Sequence, residues 1–386
     1  MNIFEEDKKY IVNTYKRFPL ALIRGTGAVA YDENGKKYID LGAGIAVNTF
    51  GFSDSEWVKA VSDQLSVLQH TSNLYYTKPQ VALAKMLCER TGMSKVFFSN
   101  SGAEANECAI KGARKYSSDR YGDDRKVIIT LKNSFHGRTI TTLSATGQES
   151  FHQHFGPFTD GFVHAEANNI KEMRQLISRH PCCALFIELI QGEGGVNVLD
   201  TNYVKELAEL ARENDLLLII DEVQTGNGRT GTLFAYQNYG ISPDIVTTAK
   251  GLCGGLPFGA TLFSKKVSDV LSFGDHGSTF GGNPVCAAGA LNILSRIDDA
   301  LLADVRRKGE YIRSELINLP KVKSISGMGL LLGIKTVENA ADLVARGLER
   351  GIIMLTAKNK LRLLPPLNIS DSDLSEAVSI LKELLS

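Results

Sequence analysis

Short apolar runs and amphipathic stretches alternate between about residue 70 and about residue 290. In the amphipathic stretches, such as Ala103–Tyr116 and Tyr203–Glu213, apolar positions recur three and four residues apart, which is typical of helices. The apolar runs are short and rich in aliphatic residues, as buried strands are. They are Lys95–Ser99, Lys126–Leu131, Ala184–Leu189, Leu216–Ile220, Asp244–Thr248 and Gly259–Phe263. This alternation predicts an α/β fold with a mostly parallel sheet covered on both faces.

The two ends of the chain have a different pattern. Near the N-terminus, Glu33-Asn34-Gly35 separates two short alternating runs and predicts a hairpin within residues 25–41. After Ile293 the pattern predicts a long helix, a strand over Gly329–Ile334, a second helix and a strand over Arg362–Leu364. These elements predict a smaller α+β domain built from both termini. The expected boundaries are 1–65 for the N-terminal part, 66–290 for the large domain and 291–386 for the C-terminal part.

Composition narrows the classes of function. The chain has 386 residues, with 43 basic and 43 acidic side chains, so it carries no large basic field for nucleic acid. No apolar run is long enough to span a bilayer, and Met1–Lys9 lacks the apolar segment of a secretory signal. The six cysteines show no CxxC spacing and read as reduced thiols. We expect a cytoplasmic protein without a metal site or a membrane partner.

Polar residues follow the predicted strands, where ligands gather in open α/β sheets. Ser99–Glu104 opens a helix, and small residues at a helix N-terminus suit a phosphate. An ordinary cap by Ser101 and Glu104 is the alternative. Phe135–Arg138 offers a ring to stack on a planar ligand and an arginine to bind a carboxylate. The alternative for this segment is a solvated surface loop.

Two charged residues end buried strands. Asp221 needs a partner there, and a protonated ring nitrogen would serve, although a helix cap or a metal ligand remains an alternative. Lys250 would have a lowered pKa through desolvation, which makes a lysine a Schiff-base nucleophile. A lysine that extends along the edge towards water is the alternative. A phosphate cradle, a stacking ring, a buried acid and a buried lysine together predict a pyridoxal phosphate site.

One competing motif has the form of a dinucleotide-binding loop. Gly226-x-Gly228-x-x-Gly231 follows a buried strand, and Asp244 lies 18 residues beyond the first glycine. However, Asp244 begins a strand, whereas the acid that binds a ribose ends one. This position of Asp244 argues against a dinucleotide site. An NAD-dependent oxidoreductase is kept as the alternative from a different class of enzyme. A non-catalytic protein with the same fold is a further alternative, which would need Lys250 or Asp221 to be missing.

Six motifs in order resemble the class III pyridoxal-phosphate-dependent aminotransferases. The resemblance runs from about Phe18 to the C-terminus, and the 29-residue step from Asp221 to Lys250 fits it. Its carriers are Ser99–Glu107, Phe135–Thr139, Ile190–Gly195, Asp221–Gly226, Ala249–Gly251 and Gly277–Pro284. The resemblance implies a fold-type I transferase, with a mostly parallel mixed sheet in its large domain. It also implies a homodimer with the active site at the subunit interface.

The same resemblance implies the residues that bind the cofactor. Lys250 would form a Schiff base with pyridoxal 5'-phosphate and move protons during catalysis. Asp221 would pair with the pyridine nitrogen as the second catalytic residue. Gln224 would bind the ring hydroxyl and Phe135 would stack on the ring. The phosphate would be bound by Ser101, Gly102 and Ala103, with Thr279 reaching it from the partner subunit.

Substrate binding follows from the resemblance too. Arg138 would bind an α-carboxylate, and Ser278 is also expected to bind substrate. Glu193 would cover Arg362 while an ω-amine donor is bound and release it for the α-carboxylate of glutamate or 2-oxoglutarate. A static salt bridge is the alternative for this pair.

The resemblance also implies a donor. We expect N2-acetyl-L-ornithine and 2-oxoglutarate as substrates in a ping-pong reaction of arginine biosynthesis. Ornithine, 4-aminobutyrate, succinylornithine and N-succinyldiaminopimelate are the alternative donors. The chain departs from the usual family pattern at three places. Gly51–Ser55 stands where a Gly-His-x-His-Pro segment is usual, Leu189 where a proline is usual, and Asn227 where a hydrophobic residue is usual.

Overall fold

A computed structural model describes residues 2–386. Its centre is a seven-stranded sheet in which six strands run in one direction and Gly259–Phe263 runs against them. In sheet order the strands are Lys95–Ser99, Gly259–Phe263, Ile245–Thr248, Leu217–Asp221, Cys182–Ile187, Val127–Leu131 and Phe162–Ala165. The predicted α/β class is confirmed.

The predicted strands all form, with small shifts at their ends. The run Ala184–Leu189 forms a strand that begins earlier and stops at Ile187. Phe162–Ala165 is an edge strand that the pattern did not predict, because it is only four residues long and partly buried.

Helices cover both faces of this sheet. Along the strand Leu217–Asp221, Leu218 and Ile220 pack into one apolar cluster, and Leu217 and Ile219 pack into the cluster on the other face. Successive side chains of a strand point to opposite faces, so both faces need an apolar cover. Over the whole described chain, including the parts away from this sheet, the helices are Ile3–Tyr10, Ala43–Ala46, Ser55–Val67, Lys78–Thr91, Gly102–Tyr121, Ile140–Ala145, Ile170–Arg179, Thr201–Glu213, Tyr236–Tyr239, Pro284–Arg296, Asp299–Leu316, Ala340–Glu349 and Asp371–Leu385. Short 3₁₀ turns cover Glu149–Phe151 and Lys250–Leu252.

Three smaller sheets complete the fold. One contains Leu22–Thr26, Val29–Asp32, Lys37–Asp40 and Ile352–Ile353; another contains Val322–Met328, Leu331–Thr336, Lys360–Leu363 and Leu355–Ala357; the third pairs Ile190–Gln191 with Asn197–Val198.

The C-terminal part of the chain packs with the N-terminal hairpin. Strand Ile352–Ile353 pairs in parallel with Lys37–Asp40, and Ala28, Ile39 and Leu41 share an apolar cluster with C-terminal side chains. The boundaries at 65 and 290 stay a prediction.

Within residues 2–386, every helix is too short or too polar to cross a bilayer. All six cysteines are free thiols.

Candidate active site

A cavity of about 430 Å³ lies at the carboxyl ends of the central strands. Strand ends that lie far apart in sequence meet there because the strands are parallel. The cavity is lined by eight of the predicted site residues, namely Ser101, Gly102, Ala103, Phe135, Arg138, Asp221, Gln224 and Lys250.

Asp221 ends the strand Leu217–Asp221 and is almost fully buried. By alternation it belongs to the same face as Leu217 and Ile219, the face covered by helix Gly102–Tyr121. Asn106 on that helix donates from Nδ2 to Asp221 Oδ2 at 2.9 Å, and His136 Nδ1 lies 2.8 Å from the same oxygen. Oδ1 accepts the Val223 N–H at 3.0 Å. The carboxylate is therefore held rigidly at the cavity wall.

Lys250 follows the strand Ile245–Thr248 and reaches the cavity from a 3₁₀ turn. Burial lowers the pKa of the Lys250 amine, and this effect outweighs the charges of Glu193 and Asp221, which act to raise that pKa. The amine consequently loses its proton at a lower pH than an exposed lysine does, and a neutral amine is a nucleophile.

The helix Gly102–Tyr121 begins at the cavity. Ser101 caps it, with its Oγ accepting the Glu104 N–H at 3.2 Å, while the Glu104 carboxylate accepts the Asn100 N–H at 2.7 Å. The first intrahelical bond is made by the N–H of Ala105 to the Ser101 carbonyl at 3.0 Å. The N–H groups of Gly102 and Ala103 precede it and lie at the positive end of the helix dipole, so capping and anion binding coexist here.

Phe135 and Arg138 lie on the loop after strand Val127–Leu131. The backbone N–H of Phe135 donates to Glu188 Oε2 at 2.9 Å, and its ring meets Phe151 edge-on at 5.7 Å between centroids. The Arg138 guanidinium lies 4.1 Å from the centre of the Phe151 ring and is otherwise exposed. An aromatic wall thus leads to a cation at the cavity mouth, where it can meet a carboxylate.

Glu193 and Arg362 form an ion pair of 2.5 Å between Oε1 and Nη1. Arg362, on strand Lys360–Leu363, is buried, while the Glu193 side chain is 28% exposed. Gln224 lies against both, accepting from Arg362 Nη1 at 3.2 Å and donating to Glu193 Oε1 at 3.3 Å. Burial acts to raise the pKa of Glu193, but Arg362 holds that pKa below its usual range. The predicted pair is therefore in contact, and its switching stays a prediction.

Four predicted residues are not among those that line the cavity: Glu193 and Arg362, which contact the lining residue Gln224, and Ser278 and Thr279. Ser278 accepts a hydrogen bond from Asn100 Nδ2 at 3.1 Å, and the neighbouring Thr279 is exposed. Their expected roles stay predictions, since Thr279 is expected to act on a partner subunit.

Three polar residues of the site were missed by the sequence analysis. His136 and Asn106 fix Asp221, and Glu188 is a buried carboxyl of the cavity wall. Burial and the nearby charge of Asp221 raise the pKa of Glu188 well above its usual value. A charged residue directly after a buried strand could have pointed to Glu188. The predicted strand extended to Leu189, so Glu188 was placed inside it instead of after its end.

The competing glycine motif packs against protein. A Cβ added at Gly228 would lie 2.9 Å from Leu367 Cδ1, and one at Gly231 would touch Arg306 Cγ. The only helix close behind these glycines in the described chain, Tyr236–Tyr239, has four residues. The close approach these glycines permit is to other side chains and not to a dinucleotide.

The chemical groups around the cavity fit pyridoxal phosphate. The first turn of a helix offers N–H groups to a phosphate, Asp221 offers a carboxylate to a ring N–H, and Lys250 offers an amine to an aldehyde. These groups lie around one space, with the Phe135 ring on its wall.

Comparison with known proteins gives the same answer. Residues 10–385 match the family model for aminotransferase class-III. Over 382 residues, the chain is 54% identical to an acetylornithine aminotransferase of Haemophilus ducreyi, covering 98% of this chain and 97% of the relative. It is 42% identical to an enzyme of that name from Methanocaldococcus jannaschii, covering 100% of this chain and 98% of the relative.

Solved structures agree. The crystal structure of an ornithine aminotransferase from Toxoplasma gondii has a TM-score of 0.95 at 33% identity, covering 99% of this chain and 94% of that one. An N-acetylornithine aminotransferase from Stenotrophomonas maltophilia has a TM-score of 0.86 at 33% identity, covering 99% and 98%. The chain therefore belongs to the class III aminotransferases and is a pyridoxal-phosphate-dependent enzyme.

Proposed function

We propose that this aminotransferase transfers the δ-amino group of N2-acetyl-L-ornithine to 2-oxoglutarate, giving N-acetyl-L-glutamate 5-semialdehyde and L-glutamate, as a step of arginine biosynthesis. Full-length relatives named acetylornithine aminotransferases, 42–54% identical, support this donor. The observation that carries the proposal is the Glu193–Arg362 ion pair beside the cavity of Lys250 and Asp221. A site that must accept an amine end and then a carboxylate needs a cation that can be covered and uncovered.

Pyridoxal phosphate, when bound, supplies an aldehyde carbon that attaches amines and a ring that accepts electrons. Lys250 Nζ would hold it, and this amine, once displaced, would remove the proton from the substrate carbon that bears nitrogen. Asp221 would keep a proton on the ring nitrogen, and Gln224 would bind the ring hydroxyl. Its lowered pKa leaves Lys250 with more neutral amine at neutral pH than an exposed lysine has.

The remaining predicted residues would orient the bound groups. Ser101, Gly102 and Ala103 would bind the phosphate at the helix N-terminus. Arg138 would bind the α-carboxylate of the donor, and Ser278 is proposed as a further substrate-binding residue. Phe135 would cover one face of the ring and exclude water from it.

We further propose a homodimer that brings Thr279 of one subunit to the phosphate site of the other. Large apolar side chains are exposed beside Thr279, including Leu74, Tyr76 and Phe280. Asn73 Nδ2 ties this segment to the loop of Thr279 by donating to the Ser278 carbonyl at 3.1 Å and the Gly281 carbonyl at 2.8 Å. Exposed apolar patches of this kind favour a protein partner, and a second copy would cover them.

The dimer is tested by sedimentation equilibrium of the holoenzyme. A mass twice that of the 42.1 kDa chain is expected, and a monomer at all micromolar concentrations would contradict the dimer.

We propose a cytoplasmic location, supported by the six free cysteines, since reduced thiols are typical of that compartment.

The donor is tested by adding one amine at a time to the holoenzyme without acceptor. Fast loss of the visible absorbance of the lysine-bound cofactor with N2-acetylornithine is the expected result. A faster response to ornithine would make ornithine the proposed donor, and this candidate matters because an ornithine aminotransferase has a TM-score of 0.95 with this chain.

Lys250→Ala should abolish turnover while the variant still folds, and near-normal turnover would remove the proposed mechanism.

A further inference from the structure

Lys250 has an unusual backbone conformation. Its φ is +45°, in the left-handed region that residues with a side chain rarely adopt. Such a conformation persists only when the surrounding structure holds it. The contacts that hold it therefore decide where the Lys250 amine points.

Two buried side chains bind the carbonyl groups on either side of Lys250. Thr49 Oγ1 donates to the carbonyl of Gly251 at 2.6 Å. Asn227 Nδ2 donates to the carbonyl of Ala249 at 3.2 Å. The Ala249 carbonyl belongs to the peptide plane that precedes Lys250, and the Gly251 carbonyl belongs to the plane beyond the one that follows Lys250. The two hydrogen bonds therefore hold the backbone on either side of Lys250.

Both side chains come from segments distant in sequence and are themselves anchored. The carbonyl of Thr49 accepts the Leu367 N–H at 2.8 Å, and Asn227 Nδ2 also donates to Thr248 Oγ1 at 3.0 Å. Thr49 is 1% exposed and Asn227 is 3% exposed. Neither lines the cavity, so each acts on the site through the backbone of the residues that flank Lys250.

Asn227 is one of the three places where the chain departs from the family pattern. Its own φ is +57°, which asparagine tolerates better than other residues with a side chain. A hydrophobic residue at 227 has no amide to donate to the Ala249 carbonyl. The departure therefore has a structural consequence beside Lys250.

We propose that Thr49 and Asn227 are positioning residues that clamp Lys250 in its left-handed conformation and so direct its amine into the cavity. This inference rests on the proposed role of Lys250 as the cofactor-binding lysine. Without either donor, the backbone at 250 relaxes towards negative φ and the amine moves away from the position where it meets the aldehyde.

The test compares Thr49→Val and Asn227→Gly with a control, Thr336→Val. Threonine to valine keeps the shape and removes the hydroxyl, and glycine accepts the left-handed conformation at 227. Thr336 is also buried and donates to a backbone carbonyl, that of Glu338 at 2.7 Å, but it lies in the C-terminal sheet. The control therefore loses a comparable hydrogen bond away from Lys250.

Two properties of each holoenzyme are measured. One is the dissociation constant of pyridoxal phosphate, with attachment at Lys250 located by borohydride reduction and peptide mass spectrometry. The other is the pH midpoint at which the visible absorbance of the attached cofactor titrates. We expect each clamp variant to bind the cofactor about tenfold more weakly, the loss expected for one hydrogen bond, and to shift the midpoint. Thr49→Ser should restore both properties, and Thr336→Val should leave both unchanged.

The outcomes separate this inference from the proposed function. If both clamp variants have the same cofactor affinity and the same titration midpoint as Thr336→Val, the proposed clamp is overturned. If the unaltered enzyme is not labelled at Lys250, the proposed mechanism fails first. Should Thr49→Val not fold, Asn227→Gly decides alone, because it adds no atoms and introduces no strain at 227.

Discussion

Removing the carboxylate of Glu193 should change which amino donor the enzyme prefers. In Glu193→Ala, Arg362 loses the partner that lies 2.5 Å from its Nη1. In the proposed function, the α-carboxylate of glutamate has to displace Glu193 from Arg362, whereas N2-acetylornithine leaves the pair in place. The variant therefore favours glutamate relative to N2-acetylornithine.

The size of the change follows from the burial of the pair. An exposed ion pair contributes about 0–1 kcal/mol, and breaking a buried one costs about 3–5 kcal/mol. Arg362 is 3% exposed and Glu193 is 28% exposed, which places the pair between these limits, at about 2 kcal/mol. Since about 1.4 kcal/mol is a factor of ten, the ratio of kcat/KM for glutamate to that for N2-acetylornithine should rise about 30-fold.

The assay is stopped-flow measurement of each half-reaction, with one donor added to the holoenzyme and the visible absorbance recorded. Glu315→Ala is the matched control, because Glu315 pairs with Lys382 at 2.8 Å on the surface of the C-terminal part. The control should leave the donor ratio unchanged. A ratio in Glu193→Ala within about twofold of the unaltered enzyme would refute the reasoning and leave the pair as a static salt bridge.

Two further changes probe the site and the sheet. Asp221→Asn should lower kcat at least about 100-fold while Lys250 still binds the cofactor, because the ring nitrogen loses a charged partner; a loss below about tenfold in steady-state kinetics would contradict this role. Burial lowers the pKa of His164 to about 4, so between pH 6.5 and 4 the unfolded chain binds a proton there that the folded chain does not. Stability should fall by on the order of 3 kcal/mol over that range, and His164→Asn should weaken the acid dependence of Tm while exposed His154→Asn should not; equal slopes in both variants would contradict this assignment.

The pattern of the sequence was sufficient for six of the seven strands of the central sheet, with shifts of up to two residues at their ends. Runs such as Leu216–Ile220 are apolar at every position because both faces of a central strand are covered, so they predict a parallel sheet without tertiary information. Because parallel strands end at one edge, residues that follow them, such as Asp221 and Lys250, were predicted to meet, and both line the same cavity. The short edge strand Phe162–Ala165 gave too weak a pattern to be found.

Only the tertiary structure decided which neighbours hold the buried charged groups in place. The contacts of Asp221 with His136 and Asn106, of Glu188 with the N–H of Phe135, and of Thr49 with the Gly251 carbonyl join residues 53 to 202 positions apart. Such contacts have no period along the chain, since they depend on where folded elements cross. The sequence indicated which chemical groups are present at the sheet edge, the lowered pKa of Lys250 and the pairing of Arg362 with Glu193. Folding determined the backbone conformation of Lys250 and the contacts that hold Asp221 and Glu188 in place.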